Sequence, residues 1–212
     1  MRFDVITLFP ELIKNSFEHG ITGRALSSKK ILLDTVNPRD FSEDISNKVD
    51  DRPYGGGPGM VMQAEPMIAA IRKAKKQSKN PHTIFMSPQG KIFNQSKAEQ
   101  FSKMEHMVIV CGRYEGIDQR IIEGVLGDPD SARKDTFSNG LLKHPQYTRP
   151  DSGAYGDVPK VLLSGDHELI RKWQLKQSLL KTRQNRPDLL ENRVLNEEEL
   201  ELLEEIIREE QS

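Results

Sequence analysis

Apolar and polar positions divide the chain into short β-like runs separated by helical periods. Residues 3–9 are rich in β-formers and stop at Pro10, predicting a first strand. Residues 11–19 put Leu12, Ile13 and Phe17 on one side of a short amphipathic helix closed by Gly20, and residues 21–28 can form another. Residues 31–36 predict a second strand, ended by Asn37-Pro38. Residues 64–76 predict a helix with Met67, Ile68 and Ile71 facing inward and lysines facing out. Residues 83–86 predict a third strand, and a helix capped by Asn94 or Ser96 runs to about Met104. Met107-Val108-Ile109-Val110-Cys111 predicts a buried strand that breaks at Gly112, with a helix from Asp118 to about Glu123. This alternation argues for an α/β fold with a doubly wound parallel sheet.

The second half differs. Residues 124–157 are frequent in Gly, Pro, Asp and Ser and keep no long apolar period, which predicts a linker with a short helix at about 134–142. Residues 158–163 predict a brief extended segment. Asp166 can cap a helix to about Gln184, with Leu169, Ile170, Trp173, Leu175, Leu179 and Leu180 spaced for one buried face. Asn196 can cap a last helix from Glu197. The expected organisation is a sheet domain over 1–127, an interdomain linker over 128–157, and a small helical domain over 158–212.

Charge sharpens this picture. The net charge is only -1, but residues 171–186 hold six Lys or Arg and no acid, whereas residues 197–210 hold eight Glu and one Arg. That asymmetry suggests a basic surface facing a polyanion with an acidic helix elsewhere; the alternative is two solvated helix faces. The single cysteine, Cys111, sits in an apolar strand, so no disulfide forms within the chain and a buried inert thiol is expected. The N-terminal apolar run is broken by Pro10 too early for a signal peptide, and no stretch approaches a membrane span, so a cytoplasmic protein without membrane association is expected.

Candidate chemistry lies in loops. Gly112-Arg113-Tyr114-Glu115-Gly116 follows a buried strand, where open α/β sheets place ligands, and puts a cation, a phenol and a carboxylate in three positions. Ser87-Pro88-Gln89-Gly90 is a second loop of that kind. In Gly55–Gly59 four glycines in five positions let backbone approach a ligand, beside Asp50, Asp51 and Tyr54. It is neither a P-loop nor a dinucleotide fingerprint. His144 to Pro150 mixes aromatic and basic residues between prolines and can dock on the sheet domain or touch RNA. Asp135, from composition alone, is one of 32 acids. No histidine spacing marks a metal site, and no Ser-His-Asp elbow is present.

Together, Val49-Asp50-Asp51-Arg52-Pro53-Tyr54-Gly55-Gly56-Gly57-Pro58-Gly59-Met60, Ser87-Pro88-Gln89-Gly90, Val110 through Asp118, Gln146-Tyr147-Thr148-Arg149-Pro150, Leu162 through His167 and Leu175-Lys176-Gln177-Ser178 resemble the bacterial tRNA (guanine-37-N1) methyltransferases, the TrmD family, from Arg2 to the last helix. The resemblance implies S-adenosylmethionine bound by loops of a knotted SPOUT domain, methyl transfer to guanine N1 beside the anticodon, and a homodimer whose sites lie between subunits. It implies Met86, Ser87, Pro88, Gly112, Tyr114 and Glu115 as donor contacts and Asp135 as the base that takes the guanine proton. The anticodon arm would be met by Asp50, Gly56, Gly57 and the basic helix, with phosphate contacts from Arg171, Lys172, Lys176, Lys181 or Arg183. The family also admits Mg²⁺, for which no local carboxylate cluster marks a site.

The chain departs from the family once. Ile121-Ile122-Glu123 runs straight into Gly124-Val125-Leu126-Gly127, where the family has a further strand, a third ligand loop and a long helix ending in a functional arginine. Roughly thirty-five residues are absent, enough for one strand and one helix. The expected consequences are an incomplete knot, loss of a central strand, unpaired sheet edges and weak donor affinity. The alternative function is a catalytically impaired remnant that binds tRNA or its own family partner without turnover. A Rossmann-type methyltransferase is disfavoured, because no Gly-rich loop follows the first strand.

Overall fold

The computed structural model describes residues 1–87, 90, 93–126, 140–191 and 193–211, with the side chains of Val125 and Leu126 not described. Six strands are formed among these residues: β1 (Arg2–Ile6), β2 (Leu32–Val36), β3 (Asp50–Asp51), β4 (Val61–Met62), β5 (His82–Phe85) and β6 (His106–Val110). Helices α1 (Pro10–Ser16), α2 (Gly20–Ser27), α3 (Ala64–Lys75), α4 (Gln95–Phe101) and α5 (Gln119–Ile121) accompany them. Helices α6 (Lys160–Leu163), α7 (His167–Asn185), α8 (Asp188–Glu191) and α9 (Glu197–Glu210) form the C-terminal part.

The fold is α/β around a parallel sheet in the order β2-β1-β6-β5. β1 pairs in parallel with β2 (Ile6 opposite Val36) and with β6 (Ile6 opposite Val110), and β5 joins β6 with Phe85 opposite Val110. All four strands therefore end together. The apolar runs form these strands because Ile6, Val108 and Val110 are fully buried, and α3 covers them with Met67, Ile68 and Ile71, also fully buried. Asn94 is the residue that caps α4.

Four expectations change. α1 buries no residue fully: Leu12 is 64% exposed, while Ile13 is half-buried. Residues 158–163 are not extended: Pro159, with φ fixed and no N–H, opens the helical turn α6 and leaves Val158 and Leu162 buried. No helix forms over 140–142, while 127–139 lie outside the described residues. Among the described residues the sheet is continuous despite the absent block: β1 and β6 pair directly through five residues.

At the opposite end of the strands a buried network closes the sheet. Asp4 accepts from Arg2 through both carboxylate oxygens (2.8 Å each), and its Oδ2 lies 2.5 Å from His106 Nε2. His106 Nδ1 is 2.7 Å from Ser78 Oγ. This Ser-His-Asp chain of contacts lies at the N-terminal strand ends, remote from the loops described next, with its aspartate engaged by Arg2.

The helical part has two apolar contacts along one helix. The first half of α7 packs Ile170 with Tyr147, Val158 and Leu162, while Leu179 in its second half packs with Leu141, Leu202 and Ile206. Leu169, assigned to the same buried face, is 52% exposed. Asp166 accepts from Glu168 and Leu169 N–H groups at the start of α7, and Asn196 with Glu199 forms a capping box on α9. No helix among the described residues is long and apolar enough to cross a membrane.

Candidate active site

The loops after β5 and β6 emerge side by side. Met86 N–H still donates to Val110 O (3.3 Å), leaving Met86 exposed and Ser87 buried. Pro88 and Gln89 lie outside the described residues. Cys111 N–H donates to Ile6 O (3.0 Å), and burial pushes its thiol up, so it stays protonated at neutral pH. Gly112 follows, where a Cβ would come within 3.2 Å of the Phe85 ring.

Tyr114 then turns through the left-handed region (φ +61°), a conformation that costs a non-glycine residue about 1–2 kcal/mol and so needs support. The support comes from the neighbouring hairpin: Glu115 N–H donates to Met60 O (3.0 Å), and Met62 N–H to Gly116 O (3.0 Å). That hairpin is β3 and β4, antiparallel, with residues 52–60 as its loop. Gly59 is required there, since a Cβ would sit 2.5 Å from Glu115 Cγ. Gly59, Met60, Gly112, Arg113, Tyr114 and Glu115 line an open cleft of about 490 Å³, within the usual range for small-ligand sites. The Arg113 guanidinium lies 5.3 Å from the Phe9 ring centroid, and Lys143 Nζ donates to Glu115 Oε2 at 2.6 Å.

Beneath the cleft the chain is braced by a buried ion pair. Asp118, fully buried, caps α5, and the Arg120 guanidinium folds back onto both of its carboxylate oxygens (2.9 and 3.0 Å). Arg120 also donates to the carbonyls of Thr148 (2.7 Å), Pro150 (3.0 Å) and Gly156 (3.2 Å), which engages all five guanidinium donors. Thr148 N–H returns to Asp118 Oδ2 (2.7 Å), Gln119 N–H donates to Gln146 O, and Tyr54 N–H to Tyr147 O. The segment around Tyr147 is therefore docked on the sheet part, not a solvated linker. The Tyr147 phenol is buried and pushed up to about 12, chiefly by that burial.

The RNA candidates divide. Gly56 and Gly57 lie at the exposed hairpin tip with open space around them, and Asp50 sits at the hairpin base. Arg171, Lys176 and Arg183 are already paired: Arg171 with Glu198 (2.7 Å), Lys176 with Glu205 and Glu209 (2.7 and 2.8 Å), and Arg183 with Glu210. The acidic helix is not elsewhere but laid along the basic one. Lys181 turns inward instead, donating to Gln119 Oε1 (2.8 Å), and burial pushes its ammonium down to about 8. Asp135 lies outside the described residues.

Comparison with known proteins decides the family. The family model described as tRNA (Guanine-1)-methyltransferase TrmD matches residues 1–123 and 119–192. A "tRNA (guanine-N(1)-)-methyltransferase" of Methylococcus capsulatus is 46% identical over 243 residues, covering 99% of this chain and 97% of its own. Proteins of the same name from Dictyoglomus turgidum (42%, covering 99% of this chain and 98% of their own length) and Shewanella sediminis (44%, 98% and 100%) agree. The chain belongs to the TrmD family.

The family match also locates the departure. An alignment of 243 positions against a chain of 212 leaves at least 31 positions of the Methylococcus relative unmatched, and the two matches to the TrmD model meet around Glu123.

Three side chains around the TrmD-like loop escaped sequence reasoning. Asp118 showed only as the start of a helix, and Arg120 only as a helix residue. Their separation of two marks no pair, because the pairing depends on Arg120 folding back while buried under residues 146–156. Lys143 carried no signal at all, since its partner Glu115 is 28 residues away.

Proposed function

We propose that this chain transfers a methyl group from S-adenosylmethionine to guanine N1 at position 37 of tRNA, beside the anticodon. The observation that carries the reading is the supported left-handed loop Gly112–Glu115, placed beside Met86 and Ser87 at the common end of four parallel strands in a TrmD-family chain. The residues present fit the donor. Glycine at 59 and 112 keeps the cleft clear where a Cβ would crowd Glu115 or Phe85, and a carboxylate and a phenol offer polar contacts to a cationic ligand.

S-adenosylmethionine supplies a methyl group on a positively charged sulfur. This chain binds and orients it through Met86, Ser87, Pro88, Gly112, Tyr114 and Glu115, while the Asp118–Arg120 brace fixes the loop base. Asp135 takes the N1 proton as the base is methylated, since N1 is a poor nucleophile until deprotonated. Positioning carries much of the acceleration, because the sulfonium is an intrinsically good leaving group.

On this reading residues 1–127 hold the donor in a SPOUT-like knotted domain, 128–157 connect, and 158–212 meet the tRNA with Asp50, Gly56 and Gly57 of the hairpin. The protein is a cytoplasmic homodimer. The absent block predicts weak donor affinity. Among the described residues no group of three His, Cys, Asp or Glu side chains is placed to hold a metal, and the reading assigns Mg²⁺ no site.

The test is incubation of the purified chain with methyl-labelled donor and unmodified tRNA transcript, followed by nuclease digestion. The expected result is 1-methylguanosine that disappears when position 37 is changed to adenosine and when Asp135→Asn is used. Label retained with adenosine at that position, or none at saturating donor, would refute it.

A further inference from the structure

Methyl transfer changes the ligand by one charge. The S–CH₃ bond breaks with its electron pair left on sulfur, the methyl joins guanine N1, the N1 proton goes to the base, and a cationic sulfonium becomes a neutral thioether. Every other charge on the ligand is the same before and after. A fixed charge at the cleft therefore acts differently on donor and product, and only there.

Glu115 is the one carboxylate among the described residues that line the cleft. By itself it would favour the cation over the thioether. Lys143 approaches it from the segment after the gap: Leu142 N–H donates to Thr182 Oγ1 (2.8 Å), which anchors the backbone on α7, and the next residue sends its ammonium to Glu115 Oε2 at 2.6 Å. Both side chains are about one-third exposed or less, at 29% and 34%, so the pair is partly shielded from solvent. Arg113 adds a second positive charge to the lining, held over Phe9. Among the described residues, Arg113, Glu115 and Lys143 give the cleft one net positive charge, and without Lys143 none.

We propose that Lys143 is a specificity-determining residue, weakening the cleft's preference for the sulfonium donor over the thioether product by cancelling Glu115. This rests on the reading that the cleft binds S-adenosylmethionine. The consequence is a chain prone to product inhibition, with Lys143 as its cause.

The experiment is titration calorimetry of the full 212-residue chain with S-adenosylmethionine and, separately, S-adenosylhomocysteine, in the unsubstituted protein and in Lys143→Met, Lys143→Gln and Lys143→Arg. Loss of one charge lining a solvent-open cleft is expected to raise donor affinity relative to product by about three- to tenfold at low salt, and the gain should shrink at high salt. Met and Gln should behave alike, and Arg should retain the original ratio. Because the readout is a ratio of two ligands on one protein, a general loss of folding does not imitate it. An unchanged ratio in Met and Gln, or the same change in Arg, overturns the proposal while leaving the donor site standing. Absence of binding by either ligand to the unsubstituted chain overturns the donor-site reading, and the proposal with it.

Discussion

Two regions of this molecule are held by charge, and in opposite ways. At the loop base a single arginine and a single aspartate are both buried, and Arg120 spends all five donors on Asp118 and three backbone carbonyls. Between α7 and α9 a row of pairs, Arg171–Glu198, Lys176–Glu205 and Arg183–Glu210, lies along the surface over a small apolar seam of Leu179, Leu202 and Ile206. Burial makes the first region unforgiving: neither partner can be lost without stranding the other away from water. Exposure makes the second interchangeable with solvent and salt. The loop base is thus built to hold one geometry, as the proposed donor site requires, while the exposed pairs of the helix pair can yield to a polyanion at little cost.

The contrast is sharpest at Arg120. Arg120→Met should lower stability by about 3–5 kcal/mol by chemical denaturation, because it leaves Asp118 buried without its counter-charge. Adding Asp118→Asn should recover part of that loss, which a sum of independent effects would not. Next, Leu179→Ala, at the fully buried centre of the helical seam, should cost about 2–4 kcal/mol while the ion pairs above it stay in place. Equal or larger losses from the surface pairs would reverse the comparison.

Lys181 links the two regions and gives a pH signature. Its folded value, about 8, lies below the ordinary 10.5, so between those limits the unfolded chain binds more protons and stability should rise with pH. Below pH 8 both states are protonated and the contribution is flat. Lys181→Met should remove the rise in denaturation midpoints across that window. Smallest of all, Lys176→Gln should cost under about 1 kcal/mol, with the difference fading in high salt.

How much of this was legible in the sequence follows the range of the interactions. The four parallel strands and α3 were readable because short runs rich in β-formers, uninterrupted and apolar only in β6, and a helical period are local signals, and the starts of α7 and α9 because Asp166 and Asn196 cap in place. The β3–β4 hairpin was not, since two-residue strands carry no period and its pairing is set by Met62 joining Gly116 and Asp118. The charge asymmetry of 171–186 and 197–210 was plain, but sequence does not say that one will lie on the other. The loops after β5 and β6 were found as loops. What holds them, Arg120 beneath and Lys143 beside, comes from contacts across 28 to 36 residues that leave no local pattern.

The proposed methyl-donor site lies at the braced end of the sheet. Amide hydrogen exchange of the full chain with and without saturating S-adenosylhomocysteine tests it directly. Slowed exchange is expected at Met86, Ser87 and residues 112–116, extending to Gly59 and Met60 on the hairpin, with α7 and α9 unchanged. Protection centred on the helix pair, or none at the Gly112–Glu115 loop despite measurable binding, would contradict it.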